Sequence, residues 1–536
     1  MVWAGEEDEG QTQLLKGRSL AEKTDRASLG CSDVILSSCI DGSLQESGGC
    51  RRFLGEVIPM SRLETQSQHS EVLQRTLDHA LGYLDSLPTR KIAARASLNE
   101  LRNSIGRSLP EIGLDAVSVI DDLVADVEGG LLGNASGRFF AWVIGGAVPA
   151  SVAADWLTST WDQNSGMYSV APAETVVEEV CGRWLLELLG LPVSVSFALV
   201  TGCQMAHVTC LAAARNALLA KRGWDVERDG LNGAPALRIL CNGDRHGSVD
   251  RAVRLLGLGT AVMVNLPVDD DGRLGVETLR AALESDSDTA TIVLLQAGDI
   301  NTGAYDPFAT LIPLAHAQEA WVHVDGAFGL WAGASPKLHH LVKGVEQADS
   351  WATDGHKWLN VPFDCGYAFV ADSEAHYRTM SHRASYLTHS QEARDQIDWN
   401  PEYSRRGRGF ATYAAIRQMG KNGIADLIER TCGHARSLVN QIGVLSGAEV
   451  LWEPSINQGL VRFRSPKPGA TDSDHDQHTE EVAAAVRKAG EAFFETTTWR
   501  GHRCMRVSVC NWQTNDSDVK RAVRSVADCL ESLRTL

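Results

Sequence analysis

The stretch TDGHKWLNVPFDCG, residues 353–366, sets Lys357 between His356 and Trp358 beside a run that reads as buried. A lysine ammonium is strongly hydrated, so desolvating it is costly unless its charge is matched or lost. Chemistry supplies a reason: an amine in a dry pocket loses its proton easily and can form a Schiff base with an aldehyde. Three other features stand at strand ends or in the loops after them. Thr201, Gly202, Cys203 and Gln204 directly precede a long helical pattern, where backbone N–H groups can face an anion, most often a phosphate. An ordinary helix cap reads the same way. His246, in CNGDRHGSVDRA, follows a short apolar run and suits a capping or surface role as well as a functional one. Asp325 ends the apolar run in AWVHVDGAF. A buried carboxylate there needs a positive or hydrogen-bonding partner, and a structural N-cap is the plain alternative.

Each feature is ambiguous alone, but their order narrows the reading. A phosphate cradle, a flat aromatic side chain, a carboxylate and, 32 residues after Asp325, a lysine fit pyridoxal 5′-phosphate (PLP). That cofactor asks for a lysine to hold its aldehyde, an acid to keep its ring nitrogen protonated, and a helix end to hold its phosphate.

The elements that must position these groups follow from the apolar pattern. From about 151 to 430, runs such as LRILCNG, ATIVLLQAG and AWVHVDGAF alternate with helical stretches such as AHVTCLAAARNALLAKRG. Short continuous apolar strands alternating with helices predict a mostly parallel sheet covered on both faces. Ligands gather at the carboxyl ends of such strands. Residues 431–536 read strand, helix, strand, helix, which predicts a small α+β domain. Residues 67–150 read as helices, with Leu73, Leu77, Ala80, Leu81 and Leu84 on one face and a second helix at VSVIDDLVADVEGGLL. Residues 1–66, rich in Ser, Gly, Glu and Gln, read as a poorly ordered extension.

Composition excludes several classes of function. The formal charge of −18 argues against nucleic acid or an anionic membrane as partner. The longest apolar candidate span, 139–154, contains Gly145, Gly146 and Pro149 and is too short to cross a bilayer. Twelve scattered cysteines without a CxxC pair or a zinc-like Cys/His spacing point to reduced thiols in the cytoplasm and no structural metal. The acidic start MVWAGEEDEG does not read as a secretory signal.

The motifs resemble a known family. DSWATDGHKWLNVPFDCG resembles the lysine motif of the group II PLP-dependent amino acid decarboxylases, which include the aromatic-L-amino-acid and glutamate decarboxylases. HVDGAFG is similar to their HVDAA(Y/F)G segment, GDRHGSVDRA to their xxxHxSxxxA segment, and APAETVVEEVCGRWLLELLGLP to their SPA…WLxxLLGLP stretch. The likeness runs from about residue 68 to the C-terminus. It implies fold type I, the aspartate-aminotransferase-like fold, and a homodimer with its active site near the interface. It implies that Lys357 carries the cofactor with His356 beside the phosphate, that Asp325 pairs with the ring nitrogen, and that Ala327 and His246 cover the two ring faces. Cys203 and Gln204 fall at the phosphate-holding positions, and Asp354 stands where many relatives have Asn. The 139–154 segment, with Trp142, Gly145 and Gly146, would line the substrate pocket, and Arg408 matches an Arg-Arg segment downstream. Tyr386, 29 residues after Lys357, matches a loop tyrosine that returns a proton after CO2 has left.

Two departures mark a divergent branch: GCQMAH has Met205 in place of an acid, and HVDGAFG has Gly326 in place of the first Ala. The resulting expectation is decarboxylation of an L-amino acid to amine and CO2. Tyr386 and the rings of Phe139, Phe140 and Trp142 suggest an aromatic substrate. Oxidative decarboxylation or deamination to an aldehyde, retro-aldol cleavage on the same scaffold, and a catalytically inactive regulatory paralogue are the alternatives.

Overall fold

The computed structural model describes residues 66–382 and 393–534. Most of the 1–66 extension and the whole of the loop segment holding Tyr386 therefore lie outside the described residues. Three helices come first among the described residues: α1 (Gln66–Ser86), α2 (Leu98–Ile105) and α3 (Ala116–Val127). Ser97 starts α2 through a capping box with Glu100, a signal present in the sequence but absent from the two-helix expectation. After α4 (Pro149–Trp161), α5 (Pro172–Leu189) begins with proline at its first position. It ends on Gly190 at φ 69°, the left-handed stop that glycine adopts without strain.

The large sheet then assembles. Its parts are β1 (Ser196–Val200), α6 (Cys203–Ala220), α7 (Val226–Asp229), β2 (Leu237–Asn242), α8 (Gly247–Leu255), β3 (Met263–Leu266), α9 (Val276–Glu284), β4 (Ala290–Gln296), α10 (Phe308–His316), β5 (Trp321–Asp325), β6 (Ser350–Asp354) and β7 (Gly366–Val370). The strands lie in the order β1-β7-β6-β5-β4-β2-β3. β7 runs antiparallel to both neighbours and every other pairing is parallel. This is the mostly parallel seven-stranded sheet of the fold type I architecture. β4 is buried along its whole length, as a strand covered by helices on both faces must be.

The chain continues through α11 (Ser373–Met380) into α12 (Gly409–Gly443), which bends at Gly420. Residue 430, the sequence-based domain boundary, falls inside α12. The remaining elements are β8 (Ala448–Trp452), β9 (Gln458–Phe463), α13 (Asp472–Ala489), β10 (Glu495–Trp499), β11 (His502–Ser508) and α14 (Asp516–Arg534). They form a four-stranded antiparallel sheet, β10-β11-β9-β8, with helices against it. Sequence reasoning found β9 and β11, which are largely buried, and missed β8 and β10. Those two edge strands are half-exposed, and their mixed residues, AEVLW and ETTTW, carry little apolar signal.

Three indoles fix the lysine loop. Trp331 donates to the carbonyl of Asp354 at 3.0 Å, Trp351 to that of Val345 at 2.8 Å, and Trp358 to Thr431 Oγ1 on α12 at 2.9 Å. All three are fully buried, so each needs its N–H partner. Asn360, held at φ 56°, donates to the carbonyls of Trp358 and Cys510 and accepts from Trp512 N–H. The lysine loop is thereby tied to the segment that follows β11. No helix among the described residues is long and apolar enough to cross a membrane.

Candidate active site

The carboxyl ends of β4, β5 and β6 open on a cleft of about 100 Å³. Trp142, Val143, His246, Gln296, Ile300, Asp325, Ala327, Phe328, Lys357 and Arg506 are among the residues lining it. Five sequence-predicted residues therefore meet: Lys357, Asp325, His246, Ala327 and Trp142. They come from separate strand ends and loops, which only the parallel topology brings together.

Lys357 follows β6, and its Nζ lies 3.3 Å from Asp354 Oδ2. Burial pushes the ammonium pKa down, but Asp354 opposes it most strongly, with Cys203 and Asp325 adding to the pull, and the net direction is upward. The expectation of an easily deprotonated lysine is thus corrected for the cofactor-free protein: two carboxylates outweigh desolvation. Asp354 also accepts from the Cys203 amide at 2.6 Å and lies 3.4 Å from His356 Nε2.

Asp325 is nearly buried at the end of β5. Burial alone would raise its pKa, but His207, His246, Lys357 and the Ala327 amide, which donates to Oδ1 at 3.2 Å, hold it below the usual carboxylate value. His246 caps a helix and also lines the cleft. Its Nδ1 accepts from the Ser248 amide at 3.2 Å and lies 2.7 Å from Ser248 Oγ, capping α8, while the ring lines the cleft. Burial lowers its pKa, and Lys357 and Arg506 work in the same direction against Asp325, so the ring is neutral at pH 7.

The helix end at α6 is built for close approach. A Cβ on Gly202 would meet the His356 ring at 3.1 Å, and one on Gly366 would meet the Gly202 backbone at 2.5 Å. The Cys203 amide is taken by Asp354 and that of Ala206 by the Gly202 carbonyl, so the amides of Gln204 and Met205 are left to meet an anion. The Cys203 side chain turns instead toward Asp325, with Sγ 3.9 Å from Oδ1. His356 accepts from Cys365 N–H at 3.2 Å and stacks on Phe363 with ring centroids 4.2 Å apart.

Other predicted residues lie elsewhere. A Cβ on Gly145 would meet the Lys357 carbonyl at 2.1 Å, and one on Gly146, at φ 70°, would meet Asn511 at 2.9 Å. Gly145 therefore packs against the lysine loop and Gly146 against Asn511, and neither is among the residues lining the cleft. Arg408 bonds Asp364 at 3.1 Å and does not line the cleft. Phe139 and Phe140 stack in the core on Phe493 and Phe494 at 5.0 and 5.2 Å, leaving Trp142 as the ring of that segment facing the cleft. Trp142 and Val143 hold consecutive left-handed backbones, φ 53° and 56°, the strained geometry that gathers at functional sites.

Sequence reasoning missed Arg506 and Gln296. Arg506, in the strand CMRVSVC, sits between buried Met505 and Val507. A charge inside an apolar strand was the available signal. Gln296 ends β4, and its buried Nε2 has no protein partner among the described residues, which aims an unpaired donor at the cleft wall. An anionic carboxylate, an amine, a neutral ring, a glycine-lined helix end and an orphan donor fit PLP.

Comparison with known proteins agrees with this geometry. The pyridoxal-dependent decarboxylase conserved domain matches residues 99–465. The aromatic-L-amino-acid decarboxylase of Bacillus atrophaeus is 24% identical over 490 residues, 90% of this chain and 98% of that protein. The 4-hydroxyphenylacetaldehyde synthase of Rhodiola rosea is 24% identical over 440 residues, 81% of this chain and 88% of that protein. A crystal structure of Oryza sativa TDC with PLP and tryptamine superposes with a TM-score of 0.82 at 23% identity, covering 88% of this chain and 99% of that one. With more than half of its length matched by the family's domain, the chain belongs to the pyridoxal-dependent decarboxylases, carboxy-lyases that work with pyridoxal 5′-phosphate.

Proposed function

We propose that the protein removes CO2 from an L-amino acid with an aromatic side chain and releases the amine. The observation that carries this reading is the convergence of Lys357, Asp325, His246 and Ala327 on one cleft with Trp142 in its wall. PLP, when bound, supplies an electron sink for the pair left on the substrate's α-carbon as CO2 departs.

The chain's residues do the rest. Lys357 Nζ is the amine that meets the cofactor's aldehyde, with Asp354 steering it. Asp325 would hold the proton on the ring nitrogen, and His246 and Ala327 would pack against the faces of the ring. Arg506 offers a guanidinium that, among the described residues, donates to the Ile300 carbonyl at 3.3 Å. That leaves donors for the substrate's carboxylate and orients it before reaction. Trp142 and Phe328 give a flat apolar wall that favours an aromatic side chain. Tyr386, outside the described residues, is the proposed donor of the proton that replaces CO2.

A homodimer in the cytoplasm completes the proposal. Exposed Leu73, Leu77, Leu81 and Leu84 along α1 support an unfinished interface, and the nine described cysteines, all unpaired, support a reducing compartment. A second reading, conversion of the amino acid to an aldehyde, is favoured by the aldehyde synthase among the relatives.

The deciding experiment offers a panel of L-amino acids and reads CO2, amine, ammonia and peroxide together. CO2 and amine in equal amounts from aromatic substrates, lost in Lys357→Ala, is the expected result. Aldehyde with peroxide moves the protein to the second reading. Turnover confined to non-aromatic substrates removes the aromatic assignment.

A further inference from the structure

Behind Asp325, away from the cleft, lies a buried chain of polar groups that the proposed reaction does not use. The Trp321 indole N–H donates to Ser350 Oγ at 2.9 Å. Ser350 Oγ is 2.9 Å from His323 Nδ1, and His323 Nε2 is 2.9 Å from His207 Nδ1. His207 Nε2 then stands 3.6 Å from Asp325 Oδ2 and 3.5 Å from Cys203 Sγ. Both histidines and Ser350 are fully buried, so water does not complete their bonds.

The chemistry of the groups sets the direction of this chain. An indole can only donate, so Ser350 accepts from Trp321. If the Ser350 hydroxyl then donates to His323 Nδ1, His323 carries its proton on Nε2 and donates to His207 Nδ1. His207 in turn carries its proton on Nε2, pointing it at Asp325. Reversing the chain would aim a nitrogen lone pair at the carboxylate, which is repulsive while that group is charged. Every hydrogen bond from Trp321 to His207 is satisfied in the forward arrangement with both rings neutral, and the His207 Nε2–H then faces Asp325 at 3.6 Å as a charge–dipole contact. Burial agrees, lowering the pKa of His207 and holding that of His323 near about 3. Cys203, His207 and Asp325 also bring three potential metal-binding atoms within 4.8 Å. Burial drives the Cys203 pKa well above its ordinary value, however, and keeps it a thiol rather than a ligating thiolate.

We propose that His207 and His323 are positioning residues: a neutral, one-directional hydrogen-bond relay that keeps Asp325 anionic and aimed at the cofactor's ring nitrogen. This rests on Asp325 facing that nitrogen. The relay acts at a distance from the substrate and touches the cofactor only through the carboxylate, so its effect is felt at one ring atom.

The test compares binding of PLP and of 1-deazapyridoxal 5′-phosphate, whose ring carries carbon in place of nitrogen, by fluorescence titration of the cofactor-free full-length protein. The unchanged protein is expected to prefer PLP. His207→Asn is expected to lose about three- to tenfold in PLP affinity, the scale of a close charge–dipole contact in a buried site, and to bind the deaza analogue within about twofold of the unchanged protein. His323→Gln should show the same selectivity with a smaller loss. Equal losses for both cofactors would overturn the relay and leave His207 a packing residue. No preference in the unchanged protein would instead overturn the placement of Asp325. Should His207→Asn not fold, ¹⁵N spectra of the ring-labelled holoenzyme decide. Neutral rings with Nε2–H on both His207 and His323 support the relay, and Nδ1–H on either, or an imidazolium, overturns it.

Discussion

Asp354 and Lys357 illustrate how one carboxylate governs an amine. At 3.3 Å the pair favours the ammonium, whereas attack on an aldehyde needs the free amine. Asp354→Asn removes that charge and is expected to lower the lysine's pKa. Uptake of PLP by the cofactor-free protein at pH 7 should then speed up by about three- to tenfold, since each unit of pKa is a tenfold change in free amine. Stopped-flow absorbance across pH checks it. An unchanged rate would mean that lysine deprotonation does not limit capture. Gly326 explains a departure at the same scale. A Cβ there would meet Leu330 Cβ at 2.6 Å, so an alanine does not fit against this chain's Leu330.

Among the elements, β7 and α6 meet so closely that residue 366 must lack a side chain. Gly366→Ala places a Cβ 2.5 Å from the Gly202 backbone and 2.9 Å from Cys203 N. Backbone cannot yield as a side chain can, so the N-terminus of α6 must shift. The expected outcome is at least tenfold weaker PLP binding, or a thermal midpoint lower by several degrees. Titration and calorimetry separate the two.

α11 carries a different liability. His376 is fully buried, its Nδ1 2.8 Å from Ser196 Oγ and its Nε2 2.9 Å from the Trp399 carbonyl, and burial holds its pKa near about 3. The unfolded chain takes up that proton near its ordinary pKa of 6.5, so between about 6.5 and 3 the unfolded state binds more protons. Stability must therefore fall as the pH is lowered through this window, by up to about 1.4 kcal/mol per pH unit for this one group. His376→Gln should flatten the acid side of a plot of thermal midpoint against pH, even if it lowers stability at pH 7. A parallel downward displacement would show that His376 does not contribute to the acid sensitivity.

For the whole molecule, the exposed leucines of α1 offer a test of the proposed homodimer. Leu77 and Leu81 are 36% and 48% exposed, one helical turn apart. If α1 packs against a second copy, Leu77→Asp with Leu81→Asp buries two charges without partners. The dimer should then weaken by a hundredfold or more, as sedimentation at micromolar concentration would show. A dimer undisturbed by both changes would place the interface elsewhere.

The sequence by itself determined what local physics can encode. Apolar runs bounded by helices specified the parallel sheet, because a strand covered on both faces has no polar side to write. The order of cradle, histidine, aspartate and lysine specified the cofactor, because each group has to end a strand or open a helix. Tertiary structure decided what depends on partners distant in sequence. Asp354 and Asp325 outweigh burial at Lys357, Phe139 and Phe140 enter the core while Trp142 reaches the cleft, and Arg506 arrives from β11. His207 and His323 lie 116 residues apart in the chain. Their spacing carried no motif, and only the packing of α6 on the sheet sets one ring against the other behind Asp325.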